Sequence, residues 1–255
     1  MRVCQLASGS KGNSIYIESA AARILIDAGL SARQIDARLA AIGVDGATLD
    51  ALFVTHEHGD HCRGVGPLAR RYNLPVYIHP ATMEQLPGLG AVQARFFAVG
   101  DEIVCGDIRV CPFSVTHDAA APVAFVVETD EGRVGVVTDL GVATRLVEER
   151  LRSCRVLVIE TNHDEVMLRD GPYPWQLKQR IRGRHGHLSN AAGAELLGRL
   201  AWHGLEAVFL AHLSETNNRA EIARAEVEQV LRDCPGCTPK VIVGEARQVS
   251  QCFVT

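Results

Sequence analysis

The sequence predicts a mixed α/β chain of the α+β kind, a four-layer αββα sandwich in which two packed sheets are covered by helices. Three observations predict it. Apolar, β-branched runs alternate with helical patterns in two batches along the 255 residues, as expected when strands and helices share a core. Short Gly- and Asp-containing turns join several of the strand-like runs, as in antiparallel meanders. No internal repeat or low-complexity linker separates the batches, so residues 1–255 are expected to form one domain.

Val3–Ala7, Ser14–Glu18 and Arg23–Asp27 read as strands. Ser8-Gly9-Ser10-Lys11-Gly12-Asn13 is a glycine-rich turn between the first two, not a phosphate-binding loop, because no helix pattern follows it. Ser31 suits the N-cap of a helix running to Ile42, with Gly43 as its C-cap. Ala51–Thr55 reads as a buried strand, His61–Tyr72 as a helix closed off by Pro75, and Val76–His79 as a strand. From Arg95 to Val137 the pattern is mostly β, with turns at Gly100-Asp101, Cys105-Gly106-Asp107 and Asp130-Glu131-Gly132. Val142–Leu151 is helical and Arg155–Glu160 an apolar strand. Tyr173–Arg182 and Ser189–His203 are helices, Gly204 stops the second, and Leu205–Ala211 is a strand. Asn218–Asp233 is an amphipathic helix with Ala220, Ala223, Val227 and Val230 on one face. Lys240–Gly244 and Gln248–Val254 close the chain as strands.

Apolar residues make up 47% of the chain and charged residues 22%, an ordinary globular balance. The net charge of −4 gives no whole-chain argument for nucleic acid or membrane, so polyanion binding has to rest on a local basic patch. No apolar run reaches the roughly 18–20 residues that span a bilayer. The N-terminus enters a strand pattern without a signal-peptide core, and a cytoplasmic setting is expected. There the eight cysteines, Cys4, Cys62, Cys105, Cys111, Cys154, Cys234, Cys237 and Cys252, are expected to be thiols rather than disulfides. Cys234-Pro235-Gly236-Cys237 has no second ligand pair nearby and reads as a turn.

His56-Glu57-His58-Gly59-Asp60-His61 carries the chemistry. Three imidazoles and a carboxylate crowd the end of a buried strand. His56 and His58 are two apart, so an extended backbone points both to one side. Asp60 and His61 follow where the chain turns, facing a second point in space. Neutral imidazole and carboxylate are ligand types that zinc and manganese accept, and two ligand clusters from one loop suggest two divalent ions. Glu57 alternates away and has no assigned role. Cys62, next to His61, is not needed as a ligand.

Further ligands are available downstream. His117, Asp139 and His212 each follow an apolar strand-like run and emerge at a common sheet edge. His79 also ends a strand, but Pro80 and a helix-like segment follow, and it reads as a capping or core histidine. His203, at a helix C-terminus, needs no more than the helix dipole to explain it.

H-x-H-x-D-H followed by a lone His, a lone Asp and a lone His at strand ends resembles the metallo-β-lactamase fold superfamily. The resemblance implies that His56, His58 and His117 bind one metal, that Asp60, His61 and His212 bind the other, and that Asp139 bridges them. His58 stands where the flavo-diiron branch typically has Glu, which argues against oxygen chemistry. The interval from Asp139 to His212 is too short for the inserted domain of the β-CASP nucleases. No long Gly/Pro-rich arm of the transfer-RNA 3′-processing kind is present. Ser8–Asn13, Leu25-Ile26-Asp27-Ala28-Gly29, Glu160-Thr161-Asn162-His163-Asp164, Pro172-Tyr173-Pro174, Gly186-His187-Leu188-Ser189-Asn190 and His212-Leu213-Ser214-Glu215-Thr216-Asn217-Asn218 look like the compact bacterial WalJ-type (YycJ) branch. That resemblance implies a DNA exonuclease, 5′ to 3′, with two divalent ions. Cys62, where an aliphatic residue is more usual, is a minor departure.

The residues offer a parallel argument for phosphodiesters. Leu177–His187 contains Lys178, Arg180, Arg182 and Arg184 with His185 and His187 just before a helix start. Arg and Lys engage phosphate oxygens, and helix N-termini favour anions; a solvated basic helix face is the competing account. His187 resembles a histidine that contacts the scissile phosphate in related RNA-processing members. Ser189 and Asn190 read as helix caps. Asn162, His163 and Asn217 are candidates to line the same opening, or satisfied loop polars. The mechanism expected is in-line attack by a hydroxide bridging two metals, with Asp60 orienting it and His187 assisting the leaving oxygen. Two alternatives stay open: a thioester or cyclic-phosphodiester hydrolase, which needs a closed pocket rather than a basic groove, and a non-catalytic metal-binding protein, which filling all seven ligand positions disfavours.

Overall fold

The apolar runs collect into two seven-stranded sheets in the computed structural model, which describes residues 1–255. The first sheet starts as an antiparallel meander of β1 (Arg2–Ala7), β2 (Ser14–Glu18) and β3 (Arg23–Ile26). It continues in parallel through β4 (Ala51–Phe53), β5 (Pro75–Ile78) and β6 (Gln93–Phe96). The second sheet repeats that plan. β7 (Ile103–Cys105), β8 (Ile108–Ser114), β9 (Val123–Thr129) and β10 (Gly132–Val137) are antiparallel neighbours. β11 (Val156–Glu160), β12 (Ala207–Ala211) and β13 (Lys240–Val243) then run parallel to β10, and β14 (Phe253–Val254) returns to pair with β1. The parallel steps correct the emphasis on antiparallel meanders. Parallel neighbours need a crossover, which α1 (Ala32–Ala41), α2 (Gly59–Cys62), α3 (Val65–Tyr72) and α4 (Pro80–Glu84) supply in the first sheet. In the second it comes from α5 (Arg145–Leu151), α6 (Glu165–Asp170), α7 (Trp175–Arg182), α8 (Asn190–Leu200) and α9 (Ala220–Arg232).

Strand alternation sends side chains to three apolar layers, which makes the sandwich four-layered. Ile24 and Ile26 of β3 meet Phe53, Phe125 and Phe209 between the sheets, whereas Leu25 faces out onto Ile35 and Leu39 of α1. On the far side Leu157 and Leu210 pack with Leu196 and Leu197 of α8 and Val227 of α9. Phe125 meets Phe53 and Phe97 edge-on at 5.8 and 5.9 Å, a burial that stabilises by about 1.5–3 kcal/mol.

Three expectations need correction. His61–Tyr72 is not one helix: the Gly64 N–H donates to Ala28 O at 2.7 Å, outside the helical ladder, and the chain breaks between α2 and α3. Gln248–Val254 is a strand at Phe253–Val254 alone, because Ser250 N–H and Oγ–H both donate to Gln5 O, at 3.0 and 3.1 Å. That docking lays the last segment on β1 and joins Cys4 to Cys252 in a disulfide, with Cα atoms 4.4 Å apart. Spacing along the chain hides such a pairing, so the thiol expectation fails for these two; the other six cysteines are free. Cys234 and Cys237 lie in a turn closed by Cys237 N–H to Cys234 O at 3.1 Å, as expected. No helix is long and apolar enough to cross a membrane.

Candidate metal centre

Ligands gather where strands end. The carboxyl ends of β3 and β4 in one sheet, and of β8, β10, β11 and β12 in the other, deliver the candidate residues, the edge at which open parallel sheets hold ligands. Asp27, Asp139 and His212 leave their strands at φ of 61°, 54° and 57°. Few non-glycine residues occupy this left-handed region, and holding three there requires the surroundings to fix them.

The predicted donors converge. His56 Nε2 lies 3.0 Å from His58 Nδ1, which lies 3.3 Å from His117 Nε2. Across the cluster His212 Nε2 is 3.2 Å and His61 Nε2 3.6 Å from Asp60 Oδ2. Asp139 stands between the two groups. Its Oδ1 is 3.7 Å from His117 Nε2 and 3.5 Å from His212 Nε2, and its Oδ2 is 3.0 Å from His61 Nε2. Metal bonds of about 2.0–2.2 Å set neighbouring donors roughly 3–3.6 Å apart, so these separations suit coordination. His56, His61, His117, Asp139 and His212 are buried, and Asp139 Oδ2 makes no hydrogen bond despite its closeness to His61. An orphaned buried carboxylate oxygen among imidazoles is costly unless a cation completes it. The donor set fits divalent ions.

Electrostatics agree. Burial holds the His56 imidazole well below its usual range, with His61 adding to the effect, and burial lowers His117 against the pull of Asp139. For His61, burial is outweighed by the Asp139 and Asp27 carboxylates, which hold its pKa well above the usual value. Burial is likewise outweighed at His212, where Asp139, Asp60 and Glu160 push the pKa to about 10. The carboxylates stay ionised: against burial, His212 and His61 lower both Asp60 and, much further, Asp139. What favours a proton on His61 and His212 also favours a metal cation there.

Several residues that the sequence shows only as parts of motifs support the donors. Asp27 Oδ2 accepts from His61 Nδ1 at 2.7 Å and from Thr55 Oγ1 at 2.8 Å, fixing His61 with Nε2 toward the cluster. Glu160, fully buried, accepts from Leu140 and Leu188 N–H through Oε2, at 2.8 and 3.1 Å. Its Oε1 lies 2.8 Å from His187 Nδ1 and 3.3 Å from His212 Nδ1. Against burial, His187 holds the Glu160 pKa down at about 2. Asn13 Nδ2 reaches His61 Nε2 and Asp60 Oδ2 at 3.0 and 3.3 Å, which gives the glycine-rich turn its purpose. Gly29 must be glycine here because a Cβ would sit 1.6 Å from Asp60 O, and at Gly141 one would sit 2.1 Å from Arg184 O. Asp27 and Glu160 appeared within motifs, but nothing in their spacing showed which imidazole each holds. Glu57 accepts from Ala120 N–H at 2.7 Å and pins the loop after His117. Cys62 donates to His56 O at 2.9 Å, its thiol pKa pushed up by burial, and takes no place among the donors.

The cluster floors a cavity of about 200 Å³ that His187, Asn162, Tyr173, Ser10 and Ser214 also line. Asp118, Arg180 and His185 line both this cavity and an outer depression that continues past Gly183 and Arg184. The basic run is divided: Lys178 Nζ donates to Arg169 O at 2.7 Å and Arg180 pairs with Asp118 at 2.9 Å, while Arg182 and Arg184 are exposed. Asn162 Nδ2 donates to His212 O at 2.8 Å. His163 and Asn217 are buried away from the cavity lining. Ser189 caps α8 through Ala192 N–H at 3.2 Å, whereas Asn190 is no cap: it exchanges side-chain bonds with Asn218, both at 2.8 Å. His79 caps α4, accepting from Ala81 N–H at 3.2 Å.

Residues 22–213 match the family described as Beta-lactamase superfamily domain. The chain is 38% identical to the exodeoxyribonuclease YycJ of Bacillus anthracis, over 89% of this chain and 88% of that one. It is 41% identical to the exodeoxyribonuclease WalJ of Streptococcus pneumoniae, over 86% and 83%. Among solved structures, the metallo-beta-lactamase fold protein YhfI from Bacillus subtilis superposes with a TM-score of 0.76 at 17% identity, covering 99% of each chain.

Proposed function

This chain belongs to the beta-lactamase superfamily, and we propose from that premise that this metal-dependent hydrolase is a DNA exonuclease. The observation that carries the reading is the shape of the site: a buried donor cluster on the floor of a cavity that opens into a groove bordered by Arg180 and Arg184. A small-molecule thioester hydrolase calls for closure; a polymer end needs a way out. Relatives named as exodeoxyribonucleases, matched across more than four-fifths of the chain, support the substrate class. The 5′ to 3′ polarity and the single domain of residues 1–255 belong to the same proposal, the polarity on family resemblance.

His56, His58 and His117 would hold one divalent ion, Asp60, His61 and His212 the other, and Asp139 would stand between them; zinc and manganese both suit these donors. When bound, such ions supply an activated water and neutralise charge on phosphate oxygens. The chain does the rest. Glu160 takes the Nδ1–H of His187 and leaves Nε2 to meet the scissile phosphate; a His187 ring carrying a second proton, on Nε2, passes that proton to the leaving oxygen. Asp60 makes its ring contacts through Oδ2, and we assign its carboxylate the orientation of the attacking water. Arg182 and Arg184, exposed at the rim, engage phosphates further along the strand.

Incubating the manganese-loaded protein with end-labelled single- and double-stranded DNA, alongside a thioester, tests the reading. Progressive release of nucleotides from the 5′ end is expected. Turnover of the thioester with intact DNA contradicts it.

A further inference from the structure

Beside the donor cluster lies an aromatic lip where α6 turns into α7. Tyr173 lines the cavity, and Trp175, two residues on, is 65% exposed. Chain geometry alone keeps their Cα atoms within about 7 Å. Tyr173 sits between Pro172 and Pro174, and Pro174 holds φ −57° and ψ 149°, so little backbone freedom is left around the ring. The hairpin is tied at both ends, by Lys178 Nζ to Arg169 O at 2.7 Å and by His187 N–H to Ile181 O at 2.9 Å. The half-buried Tyr173 and the exposed Trp175, carried on a restrained backbone, lose little backbone entropy on binding. Arg182 lies two helical turns after Trp175 on α7, and both it and Arg184 are exposed and without the carboxylate partner that Arg180 has in Asp118.

We infer that Tyr173 and Trp175 form a base-stacking platform that receives an unpaired nucleic-acid end at the cavity mouth, with Arg182 and Arg184 on its phosphates. The inference rests on the nucleic-acid reading above and sharpens it: a base stacked within a duplex cannot lie on these rings, so the end that enters is single-stranded or frayed. Stacking on aromatic rings is tolerant of sequence because every base has a π-face, and one base contributes about tenfold in affinity. An apolar protein partner is the competing occupant of an exposed tryptophan; the flanking cations favour a polyanion instead.

The protein has two tryptophans, and Trp202 is half-buried with its indole N–H donating to Cys154 O at 2.8 Å, so Trp175 reports the platform. The experiment titrates the full metal-loaded chain with dye-labelled, hydrolysis-resistant phosphorothioate oligothymidylate, following tryptophan emission and dye anisotropy together. Binding should quench the emission. Trp175→Ala and Tyr173→Ala should each weaken single-strand binding about tenfold and leave blunt-duplex binding unchanged, and Trp175→Phe should recover most of the loss. Tight binding by anisotropy without quenching, and with both alanine variants at native affinity, overturns the platform while the nuclease reading stands. No binding of any oligonucleotide overturns both. A blue shift of Trp175 emission with rising protein concentration alone, matched by dimers in sedimentation, makes the lip a contact between copies and also overturns the platform.

Discussion

At the floor of the cavity His56, His61, His117, Asp139 and His212 are buried and held by a further set of buried groups, Asp27, Thr55 and Glu160; at the rim, α7 buries no residue at all. The difference matches what each is proposed to recognise. A cation demands donors placed to a fraction of an ångström, which strand ends and hydrogen-bonded carboxylates can hold. A polymer of varying sequence asks for a charged, solvated surface with rings, and a short helix on a tied hairpin suffices. Changes at the floor should therefore abolish chemistry, whereas changes at the rim should weaken capture.

The largest expected effect is at the residue between the two donor groups. Asp139→Ala should lower DNA hydrolysis by roughly 10³-fold or more, well beyond what outer partners of a metal site cost, with the far-ultraviolet circular dichroism of the native fold. Half-native turnover in this variant would break the contrast. Next comes Glu160→Gln, which keeps the shape but removes the charge facing His187 and His212. A loss of about 10–100-fold is expected, seen in kcat more than KM. A change confined to KM would move Glu160 from positioning to substrate capture.

Asp139 was legible because a strand-end carboxylate between strand-end histidines has few other uses. Glu160 was not: it ends a strand too, and only the fold shows that β11 lies between β10 and β12, within reach of His187 on one side and His212 on the other. The hexapeptide His56–His61 fixed the floor because six consecutive residues need no tertiary information to be neighbours. The rim was less legible for the opposite reason. Lys178 and Arg180 count alike as cations in a sequence, but Lys178 Nζ donates to the nearby Arg169 O, whereas Arg180 pairs with the carboxylate of Asp118, 62 residues away. The Cys4–Cys252 pairing was hidden in the same way, at a separation of 248 residues.

At the rim itself, Arg182→Ala combined with Arg184→Ala should raise KM several-fold at moderate salt with kcat nearly unchanged, and should flatten the salt dependence of binding by about one phosphate contact per cation. A collapse of kcat would erase the distinction between rim and floor. The smallest effect concerns stability rather than turnover. Burial holds the His163 pKa down at about 4, against an ordinary value near 6.5. Between those values the unfolded chain takes up a proton that the folded chain resists. Its contribution is thus fully present above about pH 6.5, declines as pH falls and is lost as pH passes about 4, a span on the order of 3 kcal/mol. Urea midpoints measured across that window should fall less steeply in His163→Gln than in the native protein; identical slopes would assign the acid sensitivity elsewhere.

Floor and rim both depend on seven side chains from four strand ends making a single two-ion site. Metal content read by native mass spectrometry after loading with manganese or zinc at neutral pH tests it most directly. Two ions bound per chain is the predicted result. One ion at saturation, or none retained on the folded protein, would contradict it.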